Sequence, residues 1–520
     1  MNTARLEAEA QAVPIRHGGP GGVLGVISEG RVVASRAWGF ADLDDRRPMT
    51  AATRLPLCSI TKQFTCAALL ACCDEPETLD GRLAAHLPNF AGPAPEVRDL
   101  CNNQSGLRDY WALTVLHGAK AEQNFHREDA AKVFSRMKTG HFAPGTRYSY
   151  NNGNFRLLAE LLQEETGEPI EALYERRIWG PAGMTGALLA ADTRTSADGV
   201  IGYEGGDATG YLPAGNGIYW FGDAGISASL ADMLAYETWI DATREDPQSL
   251  YQRIAKPQKF RDGAPAAYGF GLSRSEVAGR AFTGHGGALR GFRAYRMYSS
   301  EARLSAVVMF NHHGDAQAAA QSLVSAALGY DEPPPRRLRG EWAGQWISPE
   351  TGLLARLEPG RDTATLRYGT SAETLSETPD GDLASSSVTI SRRGDSLMMR
   401  RPTENFAELL TPTPRVASAD GAEIAGRYHA DEVDADMVIE SRDGGVHAWF
   451  EGFLGCGRPE IMHPAGEDLW IVRTRRSMDA PAPGDWTLRL ERDAVGRVCG
   501  AVLGCWLARG LRYVRCKETS

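Results

Sequence analysis

The sequence lacks a long apolar run, an excess of positive charge and an export signal. No stretch approaches the roughly 18 apolar residues that a membrane-spanning helix needs, and the longest aliphatic run, Leu304–Phe310, predicts a buried strand. A net charge of −10 argues against nucleic acid or an anionic membrane as a partner. The first residues, MNTARLEAEAQ, carry charges where a signal peptide needs an apolar segment. These absences predict a cytoplasmic protein.

The sequence also lacks the spacing of a disulfide framework or a metal site. Its nine cysteines are odd in number, and four of them crowd together at positions 58, 66, 72 and 73, which favours free thiols in a reducing compartment. His312 and His313 have no further ligands at metal-binding spacing, and no glycine-rich phosphate loop links a strand to a helix. We therefore expect neither a metal nor a cofactor.

A proline-rich segment divides the chain. With 520 residues, the chain exceeds the size of one compact core, and the segment GYDEPPPRRLRG at 329–340 favours a stiff extended linker. Before it, strand and helix patterns are mixed, including a hairpin at 21–42 and helices at 60–73 and 154–165. After it, short alternating runs separated by turn residues predict an all-β region.

The all-β region contains an internal repeat. Residues 341–358 align without gaps with residues 423–440, at an offset of 423 − 341 = 82, and both segments open with Glu-x-Ala-Gly-x-aromatic. A second linker is predicted at 411–423, which is rich in Pro, Thr, Ser and Ala. We therefore predict three domains: a mixed α and β domain at 1–331, and two barrel-like or sandwich-like β-domains at 332–417 and 418–520.

Ser59 and Lys62 form the pattern S-x-x-K at the start of a predicted helix. Residues three apart share a helix face, so the Lys62 amine can reach the Ser59 hydroxyl, and the helix N-terminus stabilises negative charge in acyl transfer. Lys62 must be desolvated or lie near another cation to be neutral near pH 7. A serine at this place is otherwise a helix cap, and SRMK at 135–138 matches the same pattern.

Two further segments carry polar groups that suit hydrolysis. Tyr150 and Asn152 precede a predicted helix, where a tyrosine hydroxyl can relay a proton and an asparagine amide can bind a substrate carbonyl. His285 and Gly287 lead into two β-rich runs, which predicts a strand at a sheet edge, where glycine lets a substrate backbone approach. Taken alone, these segments fit a packed tyrosine, a helix cap and a glycine-rich turn equally well.

The order of the three segments resembles that of the penicillin-recognising serine hydrolases, in which S-x-x-K is followed by Y-x-N and then by K-T-G or H-x-G. The blocks PMTAATRLPLCSITKQFT, CNNQSGLRDY, PGTRYSYNN and HGGALRGF also resemble that family, and the resemblance covers residues 21–330. It implies an α+β fold, with an antiparallel sheet, flanking helices and a helical half that meet at the site. By motif it implies that Ser59 is the nucleophile, Lys62 the base and Tyr150 a proton-transferring group. It also implies an oxyanion hole formed by the N–H groups of Ser59 and Ala288. Substrate contacts are implied at Asn152, His285 and Gly287.

Position 285 bears on the substrate. A lysine in K-T-G suits a free carboxylate, whereas His285 is mostly neutral near pH 7, which favours an esterase or an aminopeptidase over a carboxypeptidase or a β-lactamase. The Lys-Thr-Gly at 138–140 cannot take that place, because it precedes Tyr150 and runs into the turn at 144–145 without a strand.

The two β-domains resemble the tails of three-domain aminopeptidases of this family, which remove N-terminal D-residues from peptides. That resemblance implies antiparallel barrels, a small peptide or amino-acid amide as substrate, and a loop of the last barrel that reaches the active site. The candidate loop is RRSMDAPAPGDW at 475–486, in which Asp479 or Asp485 would bind the substrate ammonium, with Asp479 preferred. A solvated hairpin tip is the alternative interpretation of this loop.

Two other functions fit the same motifs. One is a carboxylesterase or amidase that acts on small acyl substrates, and the other is a penicillin-binding sensor that is acylated but hardly turns over. β-Lactams are candidate inhibitors of a site of this kind. The surface of two appended β-domains favours a homodimer.

Overall fold

The computed structural model describes residues 1–331, 337–480 and 482–517. Along the chain it contains a mixed α and β body followed by two antiparallel β-barrels. Residues 332–336 of the predicted proline linker lie outside the described residues. Within the described ranges, no helix combines the length and the apolar character that crossing a membrane requires.

The strands of the first body include eight that form one antiparallel sheet and seven short ones. They are β1 (Gly21–Ser28), β2 (Arg31–Asp42), β3 (Arg47–Pro48), β4 (Leu55–Pro56), β5 (Leu188–Leu189), β6 (Tyr203–Gly206), β7 (Gly210–Pro213), β8 (Ile226–Ala228), β9 (Gln258–Lys259), β10 (Pro265–Ala266), β11 (Tyr268–Gly269), β12 (Leu272–Val277), β13 (Arg280–Leu289), β14 (Phe292–Ser299) and β15 (Leu304–Phe310). The large sheet has the order β11-β12-β13-β14-β15-β1-β2-β3.

The hairpin of β1 and β2 shows how local sequence sets this sheet. Its turn residues Glu29 and Gly30 both have positive φ, 52° and 74°, as the type I′ turn of a two-residue hairpin requires. The hairpin predicted at 21–42 is confirmed. Strand β15 is buried along its whole length, so the buried strand predicted from the aliphatic run is also confirmed.

The described helices lie on both faces of the large sheet, elsewhere in the first body and, in one case, in the second barrel. They are α1 (Thr3–His17), α2 (Thr61–Cys72), α3 (Asp80–His86), α4 (Val97–Cys101), α5 (Tyr110–Leu116), α6 (Asp129–Phe134), α7 (Asn152–Thr166), α8 (Ile170–Tyr174), α9 (Gly180–Ala182), α10 (Leu230–Ala242), α11 (Leu250–Ile254), α12 (Ala316–Leu328) and, in the second barrel, α13 (Gly421–Ile424). On one face α12 packs against β14, β15 and α1, while α10 packs against β1 on the other. The helices predicted at 60–73 and 154–165 correspond to α2 and α7, which pack against each other.

The first barrel closes with eight antiparallel strands. They are β16 (Gly344–Ile347), β17 (Leu354–Pro359), β18 (Thr363–Arg367), β19 (Ala372–Glu377), β20 (Leu383–Ala384), β21 (Thr389–Arg393), β22 (Ser396–Arg401) and β23 (Phe406–Pro412). Closure pairs β16 with β23, which removes the open edges that an isolated sheet would present.

The second barrel repeats this plan and is closed by pairing of β25 with β26. Its strands are β24 (Gly426–Ala430), β25 (Ala435–Arg442), β26 (Gly445–Gly452), β27 (Gly455–Cys456), β28 (Glu460–Gly466), β29 (Leu469–Arg473), β30 (Asp485–Arg492), β31 (Val498–Cys505) and β32 (Ala508–Arg515). The repeat in the sequence falls on equivalent strands, since Gly344 and Gly426 are 426 − 344 = 82 residues apart and each opens the first strand of its barrel. The predicted fold class, α+β followed by two barrels, is confirmed.

Candidate active site

Ser59 lies in a single 3₁₀ turn, Cys58–Ile60, that leads directly into α2. Cys58 has a φ of 50°, which is uncommon for a residue other than glycine. The helix-cap interpretation of Ser59 is wrong, because the N-cap of α2 is Ile60 and no side chain caps it. Ser59 Oγ instead accepts hydrogen bonds from Lys62 Nζ at 2.9 Å and from Tyr150 OH at 2.8 Å.

Lys62 is fully buried one turn further along. Besides Ser59 Oγ, its Nζ donates to Asn152 Oδ1 at 2.9 Å and to the backbone oxygen of Asp223 at 2.8 Å. Burial lowers the pKa of Lys62 to about 8, although the charges of Asp223, Asp479 and Asp109 partly offset this effect. With this pKa about one tenth of Lys62 is neutral at pH 7, and the neutral form is the one that can act as a base.

Tyr150 and Asn152 stand where the chain enters α7, which begins at Asn152. Burial raises the pKa of Tyr150 well above its usual value, so its hydroxyl keeps its proton and can donate it. Asn152 turns its Oδ1 to Lys62 and donates from its backbone N and its Nδ2 to Asp109 Oδ2, at 2.6 Å and 3.0 Å. In this arrangement the amide oxygen of Asn152 accepts from Lys62, and its contact with a substrate stays a prediction.

His285 lies on β13, the third of the eight strands of the large sheet. The expected sheet edge is therefore present only along the second half of β13. β12 pairs with β13 only up to Gly284, whereas β14 pairs with it through Leu289. The edge is therefore open from His285 onward. The ring of His285 contacts Tyr268 OH through Nε2 at 3.0 Å and the oxygen of Gly286 through Nδ1 at 2.5 Å, and burial lowers its pKa to about 3. His285 is neutral, with the proton on Nδ1.

Gly287 is required by the packing of the nucleophile turn. A Cβ at this position would lie 2.2 Å from the oxygen of Leu57 and 3.1 Å from Cβ of Cys58, far inside van der Waals contact. The glycine lets β13 lie directly against the turn that carries Ser59. This is a different reason from the substrate approach that the sequence suggested.

The predicted residues line one cavity of about 560 Å³. Its wall includes Ser59, Tyr150, Asn152, His285, Gly287 and Ala288 from the first body, together with Thr370 from the first barrel and Asp479, Trp506 and Leu507 from the second barrel. Lys62 lies buried behind Ser59 and Asn152. The structure thus brings together Ser59, Lys62 and every other site residue predicted from the sequence except Asp485, the alternative to Asp479.

Residues 475–480 of the predicted loop lie against the first body, and Pro481 lies outside the described residues. Ser477 and Met478 are buried, and Arg290 Nη2 donates to the backbone oxygen of Ser477 at 2.5 Å, which anchors the loop. Asp479 lines the cavity, and burial, reinforced by the charge of Asp109, raises the pKa of its carboxyl well above the usual range. Asp485 forms ion pairs with Arg356 and Arg473 and does not line the cavity.

Sequence reasoning did not name three residues that contribute to the site. Trp506 and Leu507, in the turn between β31 and β32, close the cavity from the second barrel. Asp109, which accepts two hydrogen bonds from Asn152, lies in the block CNNQSGLRDY that resembles the family, and that block was the available signal. Nothing local in the sequence marks Trp506, because its contact with the site depends on how the barrel docks.

The second S-x-x-K match lies elsewhere. Ser135 follows α6, Lys138 forms an ion pair with Asp431, and Thr139 Oγ1 donates to Glu432 at 2.8 Å. The segment is thus a contact between the first body and the second barrel. Excluding it from the site was correct.

Two family models match this chain. The family model described as beta-lactamase matches residues 3–330, which is more than half of the chain. The chain belongs to the β-lactamase family. The model described as D-aminopeptidase, domain B, matches residues 337–514 and covers both barrels.

Relatives match over the whole length. A D-aminopeptidase of Cereibacter sphaeroides is 58% identical over 510 residues, and one of Brucella ovis is 48% identical over 515 residues; each match covers 98% of both chains. Among solved structures, an octameric penicillin-binding protein homologue from Pyrococcus abyssi aligns with a TM-score of 0.55 at 19% identity, covering 87% of this chain and 99% of that one. At this identity the likeness shows the fold alone.

Proposed function

We propose that this chain is a serine aminopeptidase that hydrolyses N-terminal D-amino acids from peptides, amides or esters through an acyl-enzyme on Ser59. The proposal rests on the two hydrogen bonds that Ser59 Oγ accepts from Lys62 Nζ and Tyr150 OH, beside a cavity that Asp479 lines. The D-aminopeptidases of C. sphaeroides and B. ovis support the choice of substrate. The preference for the D-configuration rests on these relatives.

In the proposed acylation step, Lys62 and Tyr150 each accept one proton and donate one. Neutral Lys62 takes the Ser59 proton while Ser59 Oγ attacks the carbonyl carbon, and the N–H groups of Ser59 and Ala288 donate to the oxygen that becomes negative. Tyr150 OH protonates the leaving amine as the C–N bond breaks, and the Lys62 ammonium restores the tyrosine proton. Water then cleaves the ester to release the D-amino acid, and its second proton returns to Ser59 Oγ through the same groups.

Asp479 is proposed to bind the substrate α-ammonium. We expect Asp479→Ala to lower kcat/KM for D-Ala-p-nitroanilide by about 10- to 100-fold, because a hydrogen bond to a charged group contributes about 1.5–3 kcal/mol. For p-nitrophenyl acetate, which has no ammonium, the loss should be much smaller. Asp485→Ala, at the start of β30, is the matched control, since its carboxylate pairs with Arg356 outside the cavity. Unchanged kcat/KM of Asp479→Ala for amine substrates would contradict this role.

The pH dependence should differ between substrates with and without an amine. As pH rises, Lys62 loses its proton at a pKa of about 8, so kcat/KM rises for both kinds of substrate. The α-ammonium of an amino-acid amide loses its charge near a pKa of about 8 as well, so only that substrate should show a falling limb. We expect a bell-shaped profile for D-Ala-p-nitroanilide and a rising profile for p-nitrophenyl acetate. A falling limb with both substrates would assign the second titration to the enzyme.

A carboxylesterase or amidase is the second candidate, because His285 is neutral where a carboxylate-binding enzyme of this family has lysine. The two candidates separate on a panel of D-Ala-p-nitroanilide, its L-isomer and p-nitrophenyl acetate. Turnover of the ester without turnover of the D-anilide would replace the aminopeptidase by an esterase.

We also propose that β-lactams inhibit the enzyme by acylating Ser59. Incubation with a labelled penicillin measures the adduct and its lifetime. A long-lived adduct without turnover of any other substrate would instead favour a penicillin-binding sensor.

For location and assembly, we propose a cytoplasmic homodimer. All nine cysteines lie within the described residues and none is in a disulfide, which supports a reducing compartment. Light scattering of the purified protein tests the dimer, and the mass of a single chain would refute it.

A further inference from the structure

The first turn of α5 touches both protein groups that hold the Lys62 amine on the side away from Ser59. Those groups are the amide oxygen of Asn152 and the backbone oxygen of Asp223. They lie 71 residues apart in sequence (223 − 152), yet each is fixed by a side chain from Asp109–Trp111. The mechanism above uses none of these three residues.

Asp109 orients Asn152. Its Oδ2 accepts from both the backbone N and Nδ2 of Asn152, and its Oδ1 accepts from the N of Ala112 at 3.1 Å, which caps α5. Because the Asn152 NH₂ group must face this carboxylate, the amide oxygen must face the other way, toward Lys62 Nζ. The carboxylate thus decides which end of the amide meets the lysine.

Tyr110 and Trp111 fix Asp223. Tyr110 OH donates to Asp223 Oδ2 at 2.8 Å and Trp111 Nε1 donates to the same atom at 3.3 Å. Tyr110, Trp111 and Asp223 are all buried, so this carboxylate has little freedom to move. Holding its side chain holds the backbone oxygen that accepts from Lys62.

The second barrel secures the same turn from outside. The N of Asp109 donates to the oxygen of Leu507 at 3.0 Å. Arg108 Nε donates to the oxygen of Arg509 at 3.0 Å, and its Nη1 pairs with Glu432 at 2.9 Å. The barrel therefore anchors the segment on which the lysine partners depend.

We propose that Asp109 is a positioning residue for the Lys62 base, acting through Asn152 on a turn that the second barrel clamps. The proposal rests on the role of Ser59 and Lys62 proposed above. Asp109 itself neither hydrogen-bonds to Lys62 nor lines the cavity; it orients Asn152, whose amide oxygen is the acceptor that Lys62 requires.

Asp109→Asn isolates this role. Asparagine caps a helix as well as aspartate does, so its amide oxygen can keep the bond to Ala112. Its NH₂ group then faces the N and Nδ2 of Asn152, donor against donor. To pair, the Asn152 amide must flip, which turns its NH₂ group toward Lys62 Nζ and removes one acceptor of the lysine.

We expect Asp109→Asn to lower kcat/KM for D-Ala-p-nitroanilide and for p-nitrophenyl acetate alike, by about 10- to 100-fold at neutral pH, the size of a lost hydrogen bond to a charged group. Asp232→Asn is the matched control. Asp232 is also a buried carboxylate at a helix start, and its hydrogen bonds go to Ser229 and Gly186. The control should lower Tm without this loss of activity.

The rising limb of the pH profile separates positioning from loosened folding. The groups whose charge acts on Lys62 are Asp223, Asp479, Asp109 and Cys58, and the carboxylate of Asp109 favours the lysine cation. Asp109→Asn removes both that charge and the Asn152 acceptor, and each loss destabilises the Lys62 cation. The pKa of Lys62 should therefore fall, and the rising limb should move to lower pH. In Asp232→Asn the limb should stay in place.

Two results would overturn the proposal. One is a wild-type kcat/KM in Asp109→Asn. The other is a loss of kcat/KM no larger than the fraction of unfolded protein explains, together with a rising limb at its wild-type pH. If Asp109→Asn does not fold, Asp109→Ser provides the second test, since serine also caps a helix but its single short hydroxyl cannot hold both donors of Asn152, and it should also lower kcat/KM for both substrates. Wild-type kinetics in Asp109→Ser would then overturn the proposal. Ser59→Ala distinguishes failure of the proposed function from failure of the positioning role. Turnover by Ser59→Ala refutes the proposed function. An inactive Ser59→Ala together with a fully active Asp109→Asn refutes only the positioning role.

Discussion

Replacing Ser59 by alanine should reduce kcat/KM for D-Ala-p-nitroanilide by more than about 10⁴-fold, because it removes the hydroxyl that we propose forms the acyl-enzyme. The hydroxyl is the only atom of the site that accepts from both Lys62 Nζ and Tyr150 OH in the described structure. Intact-mass measurement during turnover of p-nitrophenyl acetate should show one acyl group on the wild-type chain and none on Ser59→Ala.

Ser135→Ala is the matched control, because Ser135 begins the second S-x-x-K in the same chain and lies away from the cavity. Its oxygen donates to the backbone of Lys132, so the variant should retain wild-type kinetics. Hydrolysis by Ser59→Ala at a rate near that of wild type would remove the nucleophile from the proposal.

Replacing Lys62 by methionine should lower kcat by about 10²- to 10⁴-fold, the usual contribution of a general base. Methionine matches the length and burial of the lysine stem but cannot take the Ser59 proton. The first turnover should slow as much as the steady state, since acylation needs the base. A pre-steady-state burst of p-nitrophenol that keeps its wild-type rate in Lys62→Met would exclude Lys62 as the base of acylation.

Lys138→Met serves as the control for this change. Lys138 is half-buried, pairs with Asp431 and belongs to the second S-x-x-K match. Losing a largely exposed ion pair costs at most about 1 kcal/mol of stability. We expect unchanged kcat and a small decrease in Tm.

The residues that the sequence identified are those whose geometry is local. Ser59 and Lys62 are three residues apart on one helical turn, so their contact follows from the period of the helix alone. Tyr150 sits in a short block with its own pattern, and the turn at Glu29–Gly30 has the glycine that its φ requires. In each case a few neighbouring residues determine the conformation.

What the sequence could not supply depends on contacts between distant segments. Asp109 meets Asn152 across 43 residues, and Arg108 meets Arg509 across 401. No periodicity encodes such distances, so the docking of the second barrel and the role of Trp506 emerge only in three dimensions. Gly287 shows the same limit: the sequence did not reveal that a side chain at this position would collide with the oxygen of Leu57.

The entry of the second barrel into the cavity links activity to the order of synthesis. Ser59, Lys62 and Tyr150 leave the ribosome early, whereas Asp479, Trp506 and Leu507 follow more than 300 residues later (479 − 150 = 329). A nascent chain thus carries its nucleophile for most of translation without the wall that shapes the cavity. Folding of the last barrel completes the cavity wall and the clamp on the Asp109 turn. If the proposed roles of Ser59 and Lys62 hold, truncation within that barrel should therefore yield an open cavity with a poorly positioned base rather than a smaller enzyme.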